Sequence, residues 1–185
     1  MSSKLGVENI AHTNGTNAMT ISSGGVTTFT NEPSGIGNTP CFYATFSSPL
    51  NTQSNNVSIK VRFNATSFNQ GGGTFDTSNY RYTPGVAGVY MFGATVNMKD
   101  SGDNTDYQQQ DVMIRKNGNE VFGNRIQMNA SLFQSSAYNT PLTATGLVQM
   151  DADDYVEVWA SVYGGDFDVR PERSRFYGFR LVGTV

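Results

Sequence analysis

Few residues in the chain are of types able to do covalent or metal chemistry. There is one His (His12) and one Cys (Cys41). A base and nucleophile pair needs a third group to orient the base. His12 stands in a polar stretch where no such group is in place. Cys41 opens an apolar strand and reads as a small buried hydrophobe. A single Cys excludes an intrachain disulfide, and one His with one Cys excludes zinc sites built on several such ligands. Asp100, Asp103 and Asp106 supply the oxygen ligands that calcium prefers, but without EF-hand spacing or a Glu at the right offset, so they read as a solvated loop. Asp151, Asp153 and Asp154 fall where Asp serves turn chemistry, and no metal is assigned to them. Glycoside hydrolysis needs paired carboxylates in a groove, and no pair here sits in an apolar setting. No residue takes a catalytic role and no cofactor is implied. The cluster Asp166, Asp168, Arg170, Glu172, Arg173 and Arg175 reads either as an exposed recognition loop or inter-subunit ion pairs, or as a solvated loop with surface pairs of little energetic value. The recognition-loop candidates are Asp103, Asp106, Arg170 and Arg173.

These residues stand in a chain of 185 with 37% hydrophobic and 15% charged residues. Gly, Asn, Ser and Thr make up 74 of the 185. All four compete poorly for helix interiors. With 12 Phe and 9 Tyr, the composition reads as all-β with many turns. A net charge of −3 and a pI near 5.0 provide no basic field for nucleic acid or an anionic membrane. The first residues lack the apolar run of a signal peptide, and no stretch approaches a membrane span, so a soluble, non-secreted protein is expected. The Asn-x-Ser/Thr triplets at Asn14, Asn56, Asn64 and Asn129 are then chance products of composition.

Residues 1–38 form an arm and linker. LGVENI (5–10), NAMTI (17–21) and VTTF (26–29) are β-type patches separated by Asn14-Gly15 and Ser22-Ser23-Gly24-Gly25. The arm holds too little apolar surface to fold well alone. Residues 39–185 read as one β domain. Expected strands are CFYATF (41–46), VSIKVRFN (57–64), GVYMFGATVNM (88–98), LTATGLVQM (142–150), YVEVWASVYG (155–164) and FYGFRLVG (176–183). VMIRKNGNEVF (112–122) is a hairpin on the type I′ turn that Asn117-Gly118 favours. Residues 98–110 and 164–174 are expected to be polar loops. In YVEVWASVYG, Val156, Val158, Ala160 and Val162 share one face while Tyr155, Trp159 and Tyr163 share the other. A lone sandwich leaves that second face wet, so aromatics there point to an interface or to a surface under a loop.

The stretch FNATSFNQGGGTFDTSNYRYTPGVAGVYMF resembles the signature of the globular domain of the C1q and tumour-necrosis-factor superfamily. Phe63, Asn69, Phe75, Tyr82, Gly88, Tyr90 and Phe92 take its places. It departs by one extra residue at Gly71-Gly72-Gly73, by Tyr82 for Phe, and by Ala94 for an aromatic. Val112 to Val121, LTATGLVQMDADDYVEVWASV and SRFYGFRLV (with Phe176, Gly178 and Phe179) resemble later blocks of the family, so the likeness covers about residues 40–185. It implies a jelly-roll sandwich of ten strands that assembles as a homotrimer with aromatic side chains around the axis. The interface candidates are Tyr90, Phe92, Tyr155, Trp159, Tyr163 and Phe179, with a core position as the alternative for Tyr90 and Trp159.

The segment VENIAHTNGTNAMTISSGGVTTF is similar to N-terminal segments of structural proteins from tailed bacteriophages. This resemblance implies a non-enzymatic protein on the virion surface, a capsid decoration or head-fibre protein attached to capsid or tail proteins through residues 1–38. The alternatives are a tail-fibre or spike component that meets a host-surface glycan or protein, or a free lectin-like module.

Overall fold

The computed structural model describes residues 9–11, 17–29, 40–101, 107–128 and 139–183. The chain divides into two compact units, Met1–Gly37 and Asn38–Val185. In the first, β1 (Asn9–Ala11), β2 (Asn17–Ile21) and β3 (Thr27–Phe29) form an antiparallel sheet in the order β1-β2-β3. The turn between β2 and β3 is closed by the Gly25 amide donating to the Ser22 carbonyl at 2.9 Å. His12 lies outside the described residues.

The second unit is a two-sheet sandwich. One sheet runs β13 (Asn139–Met150), β10 (Gly88–Asp100), β15 (Phe167–Gly183), β4 (Cys41–Thr45) and β7 (Ala65–Gln70), with β5 (Leu50–Gln53) also on β15. The other runs β12 (Asn119–Gln127), β11 (Gln109–Lys116), β14 (Val156–Tyr163), β9 (Arg81–Thr83) and β8 (Thr74–Asp76), with β6 (Ile59–Lys60) also on β14. The chain therefore takes the all-β jelly-roll sandwich that the sequence implies, with a short β-rich arm before it. The hairpin of β11 and β12 turns at Asn117 and Gly118, whose φ values of 50° and 82° are the left-handed pair a type I′ turn requires.

The core lies between the sheets. Phe42 of β4 stacks on Tyr82 of β9 at 4.1 Å and meets Phe176 of β15 edge-on at 4.9 Å. Val112, Ile114, Val156, Val158, Ala160 and Val162 cover it from the second sheet, all essentially inaccessible. Gly178 stands between Phe42 and Phe92 in one cross-strand row. A Cβ there would overlap both rings, so only a glycine lets them close over the backbone.

Several expectations are corrected. Tyr90 and Phe92 are wholly buried within one copy of the chain, so they are core rather than interface. Their rings stack at 5.7 Å, and the Tyr90 hydroxyl donates to the Val86 carbonyl at 2.7 Å. The strand expected over 57–64 keeps ladder pairing only at Ile59 and Lys60. The Phe63 amide donates back to the Val61 carbonyl at 3.1 Å, a three-residue turn that breaks the run. ATSFNQ (65–70), too polar to read as a strand, forms the exposed edge strand β7. Residues 164–174 are not one loop, because β15 begins at Phe167. Arg170 faces Asn97 and Arg175 faces Thr95, so residues 171–174 bulge out opposite Val96 alone. Ser174 pins the bulge, accepting from the Asn97 amide at 2.9 Å and donating to the Arg170 carbonyl.

Two predictions follow from this core. Gly178→Ala overpacks the Phe42–Phe92 contact and should cost about 2 kcal/mol or more, read as a lower urea midpoint at unchanged slope. Burial pushes the Tyr90 phenol up to about 12, against the opposing pull of Arg180. A folded-state pKa above the unfolded value contributes stability that is full below pH ~10 and lost as pH rises toward 12. Tyr90→Phe should therefore be less stable at neutral pH by about 1 kcal/mol, through the lost hydrogen bond, yet lose stability less steeply above pH ~10. Tyr82, also raised by burial, is present in both proteins, so the difference in urea midpoints across pH reports Tyr90.

Candidate functional site

The sandwich has two outward faces, and the remaining aromatic candidates divide between them. In β4, inward Phe42 and Ala44 leave Cys41, Tyr43 and Thr45 outward. In β15, inward Phe176 and Gly178 leave Arg175, Tyr177 and Phe179 outward. Tyr177 therefore stacks on Tyr43 at 6.5 Å, and Tyr43 meets Phe68 of β7 at 6.1 Å. Tyr177 also lies across Gly93 of β10, whose missing side chain makes room for the ring. Cys41, Tyr43, Phe68, Arg175, Tyr177 and Phe179 line a concavity of about 530 Å³. Farther along the same face Leu147 is 64% exposed, and it stands opposite Met91, which stands opposite Phe179. Cys41 is half-buried at the rim of this concavity rather than packed in the core.

Of the aromatic residues on this face, the sequence reading singled out Phe179 alone. Tyr43, Phe68 and Tyr177 were missed, although CFYAT and FYGF carry aromatics on both parities of the strand. That doubled pattern is the signal for a sheet apolar on both sides.

The second sheet's outward face has different chemistry. Tyr155, Trp159 and Tyr163 do point away from the core, as the alternation requires. Trp159 is dressed by cations, with Arg115 at 4.2 Å and Lys60 at 5.8 Å from its ring, and its indole N–H donates to Glu157 at 2.8 Å. Glu157 also pairs with Lys60 and is almost fully buried under these side chains. Arg81 lies over Tyr155 at 4.5 Å. Asp111 accepts from Arg125, Gln109 and Ser161. Phe179 and Trp159 belong to opposite faces, so the aromatic candidates do not form one patch.

Of the charged candidates, Arg170 has a structural use. Arg170 pairs with Asp168 at 2.6 Å. The second Asp168 oxygen accepts the Thr52 amide at 2.8 Å, and Asp166 accepts the Asn55 amide at 2.8 Å. Arg173 is exposed at the bulge with a φ of 68°. Asp103 and Asp106 lie outside the described residues. Asp154 accepts the Asp151 amide and the Asn117 side chain and pairs with Lys116. Burial alone would raise its pKa, but those partners hold it below the usual carboxylate value. Among the described residues, no group of three or more His, Cys, Asp or Glu is placed to hold a metal ion.

No protein-family model matches the chain, and no curated protein matches it. Solved structures do. The chain is similar to murine APRIL at pH 5.0, with 12% identity and a TM-score of 0.55 over 76% of this chain and 98% of that one. It is similar to the Eiger TNF from S. frugiperda, with 10% identity and a TM-score of 0.54 over 78% and 94% of the two chains. The globular domain of zebrafish complement 1qA aligns at 15% identity with a TM-score of 0.48, over 78% of this chain and 99% of that one. At these identities the likeness is one of fold, and the fold is the C1q/TNF-like jelly roll.

Proposed function

We propose that this chain is a non-enzymatic structural and binding protein of a tailed-bacteriophage particle. In this reading the head self-associates as a homotrimer, and residues 1–38 attach it to capsid or tail proteins. The observation that carries the reading is the aromatic concavity of Cys41, Tyr43, Phe68, Tyr177 and Phe179. Phe68 and Leu147 are 44% and 64% exposed on that face, and a contiguous apolar patch of this kind marks an association surface. Copies meeting there bury the first sheet's outward face and leave the second sheet toward solvent. Of the sequence-expected interface residues, Phe179 then stays, joined by Tyr43, Phe68 and Tyr177. The three-fold number and the phage setting rest on the resemblances of the head and the arm. On a virion surface, copy number separates the two placements, with a count comparable to the major capsid protein marking decoration and a small count marking a fibre.

Native mass spectrometry of the full-length protein should show a species of three times the 20.1 kDa chain mass. Tyr177→Asp, at a half-buried position, should remain folded by circular dichroism and weaken association roughly thirtyfold or more, as the loss of a central aromatic contact does. A clean monomer from the unsubstituted chain would overturn the trimer. Deleting residues 1–38 should leave the trimer intact and abolish co-sedimentation with the phage particle.

A further inference from the structure

The second sheet carries a smaller depression near its edge, beside Gly123. Across one row of the outward face stand Lys60, Trp159, Met113 and Gly123, each the cross-strand partner of the next. Gly123 ends the row on β12, the edge strand. A Cβ at Gly123 would come within 2.9 Å of the Val112 carbonyl oxygen, 3.2 Å of a Glu120 oxygen and 3.4 Å of the Met113 side chain. Gly123 thus lies tight against these groups, and beside it is a hollow of about 280 Å³ lined by Asp111, Met113, Glu120, Asn124 and Arg125.

The walls of this hollow are fixed before anything enters it. Asp111 has a side chain only 9% exposed and is held by Gln109 at 2.8 Å and Ser161 at 3.3 Å as well as by Arg125. Arg125 spends its Nε–H on Asp111, while its side chain is 62% exposed. The terminal guanidinium N–H groups therefore point donors into water from an anchored base. Glu120 adds exposed acceptor oxygens beside them. The Asn124 amide is tied to the Thr143 carbonyl at 2.8 Å. Met113 gives the floor an apolar, polarizable surface.

This charge arrangement selects a class of ligand. A bare anion drawn to Arg125 meets Asp111 and Glu120, and a bare cation drawn to Glu120 meets Arg125. A group that donates and accepts on adjacent atoms satisfies both walls, which is the hydrogen-bonding character of neighbouring hydroxyls. The same unit needs a C–H face to cover Met113. No further strand of this sheet lies beyond β12 among the described residues, so a longer chain carrying the unit has room on that side. We propose that the depression at Gly123 is a saccharide subsite that takes one neutral sugar unit of a polysaccharide. It deepens the reading of the head as a binding module but does not depend on trimer formation, since it lies on the opposite sheet from the association face.

The test is a printed array of neutral, sulfated and uronic-acid oligosaccharides probed with labelled full-length protein. The expected result is retention on neutral oligosaccharides that persists at high salt. Glu120→Ala and Arg125→Lys should each weaken it about tenfold, the loss expected for one hydrogen bond to a charged group. Thermal unfolding of Glu120→Ala should be unchanged, since Glu120 is exposed. Retention on no neutral oligosaccharide overturns the proposal. Binding confined to sulfated or uronic-acid ligands and abolished by salt overturns it in favour of an anion site. Neutral binding that both variants leave intact overturns it by placing the site elsewhere. Native mass spectrometry of the same samples reads the trimer independently, so the two readings fail separately.

Discussion

Both outward faces of the head depend on the ring contacts that close the sandwich. Phe42 stacks on Tyr82 across the two sheets and meets Phe176 within its own. In a strand, each side chain that turns inward forces its neighbours outward. With Phe42 inward, Cys41 and Tyr43 must face out. With Phe176 and Gly178 inward, Arg175, Tyr177 and Phe179 must do the same. A slip of one residue in either strand would put Tyr43 or Tyr177 in the core and Phe42 or Phe176 in water. Gly178 guards the register, because the Phe92 and Phe42 rings close over it and leave no space for a side chain. The aromatic outward face of the first sheet is therefore a by-product of the core, set by the same contacts.

Sequence alone was most legible where one parity is apolar and the other polar or aromatic. Val156 to Val162 alternate so cleanly that the inward set and the outward Tyr155, Trp159 and Tyr163 follow directly. Asn117-Gly118 likewise specified its own turn. Legibility failed where both parities are apolar. In GVYMFGATVNM nothing local distinguishes Tyr90 and Phe92 from Val89 and Met91, and only the cross-strand partners decide which set faces the core. It failed differently at residues 164–174, whose Asp, Pro and Arg content signals a loop. Asp166 and Asp168 are there because their carboxylates accept the Asn55 and Thr52 amides, and Arg170 because it pairs with Asp168. The two amide contacts are long-range, so composition cannot reveal them. The depression at Gly123 lies within the hairpin that the sequence does specify, but which of its side chains share a face with Gly123 depends on the register of β11 against β12.

The two faces differ in what burial against another protein would do to them, and this decides between them as surfaces for self-association. On the first sheet, Tyr43, Phe68, Tyr177, Phe179 and Leu147 present apolar area, and removing water from it is favourable at roughly 25 cal/mol per Å². On the second, Trp159 stands with Tyr155 and the exposed Tyr163, but Arg115 and Lys60 cover the Trp159 ring, its N–H is committed to Glu157, and Arg81 covers Tyr155. Around Trp159 stand the Lys60–Glu157 and Arg125–Asp111 pairs. Covering that face with protein would strip water from each pair, at a desolvation cost that mutual attraction does not reliably recover. Solvent contact is what those pairs need. A polyhydroxyl ligand supplies hydrogen bonds in place of water and covers only a small patch, so it can occupy the second face without that penalty. The desolvation of these ion pairs weighs against the expected interface at Trp159, whereas burial of the first sheet's aromatic face carries no such cost.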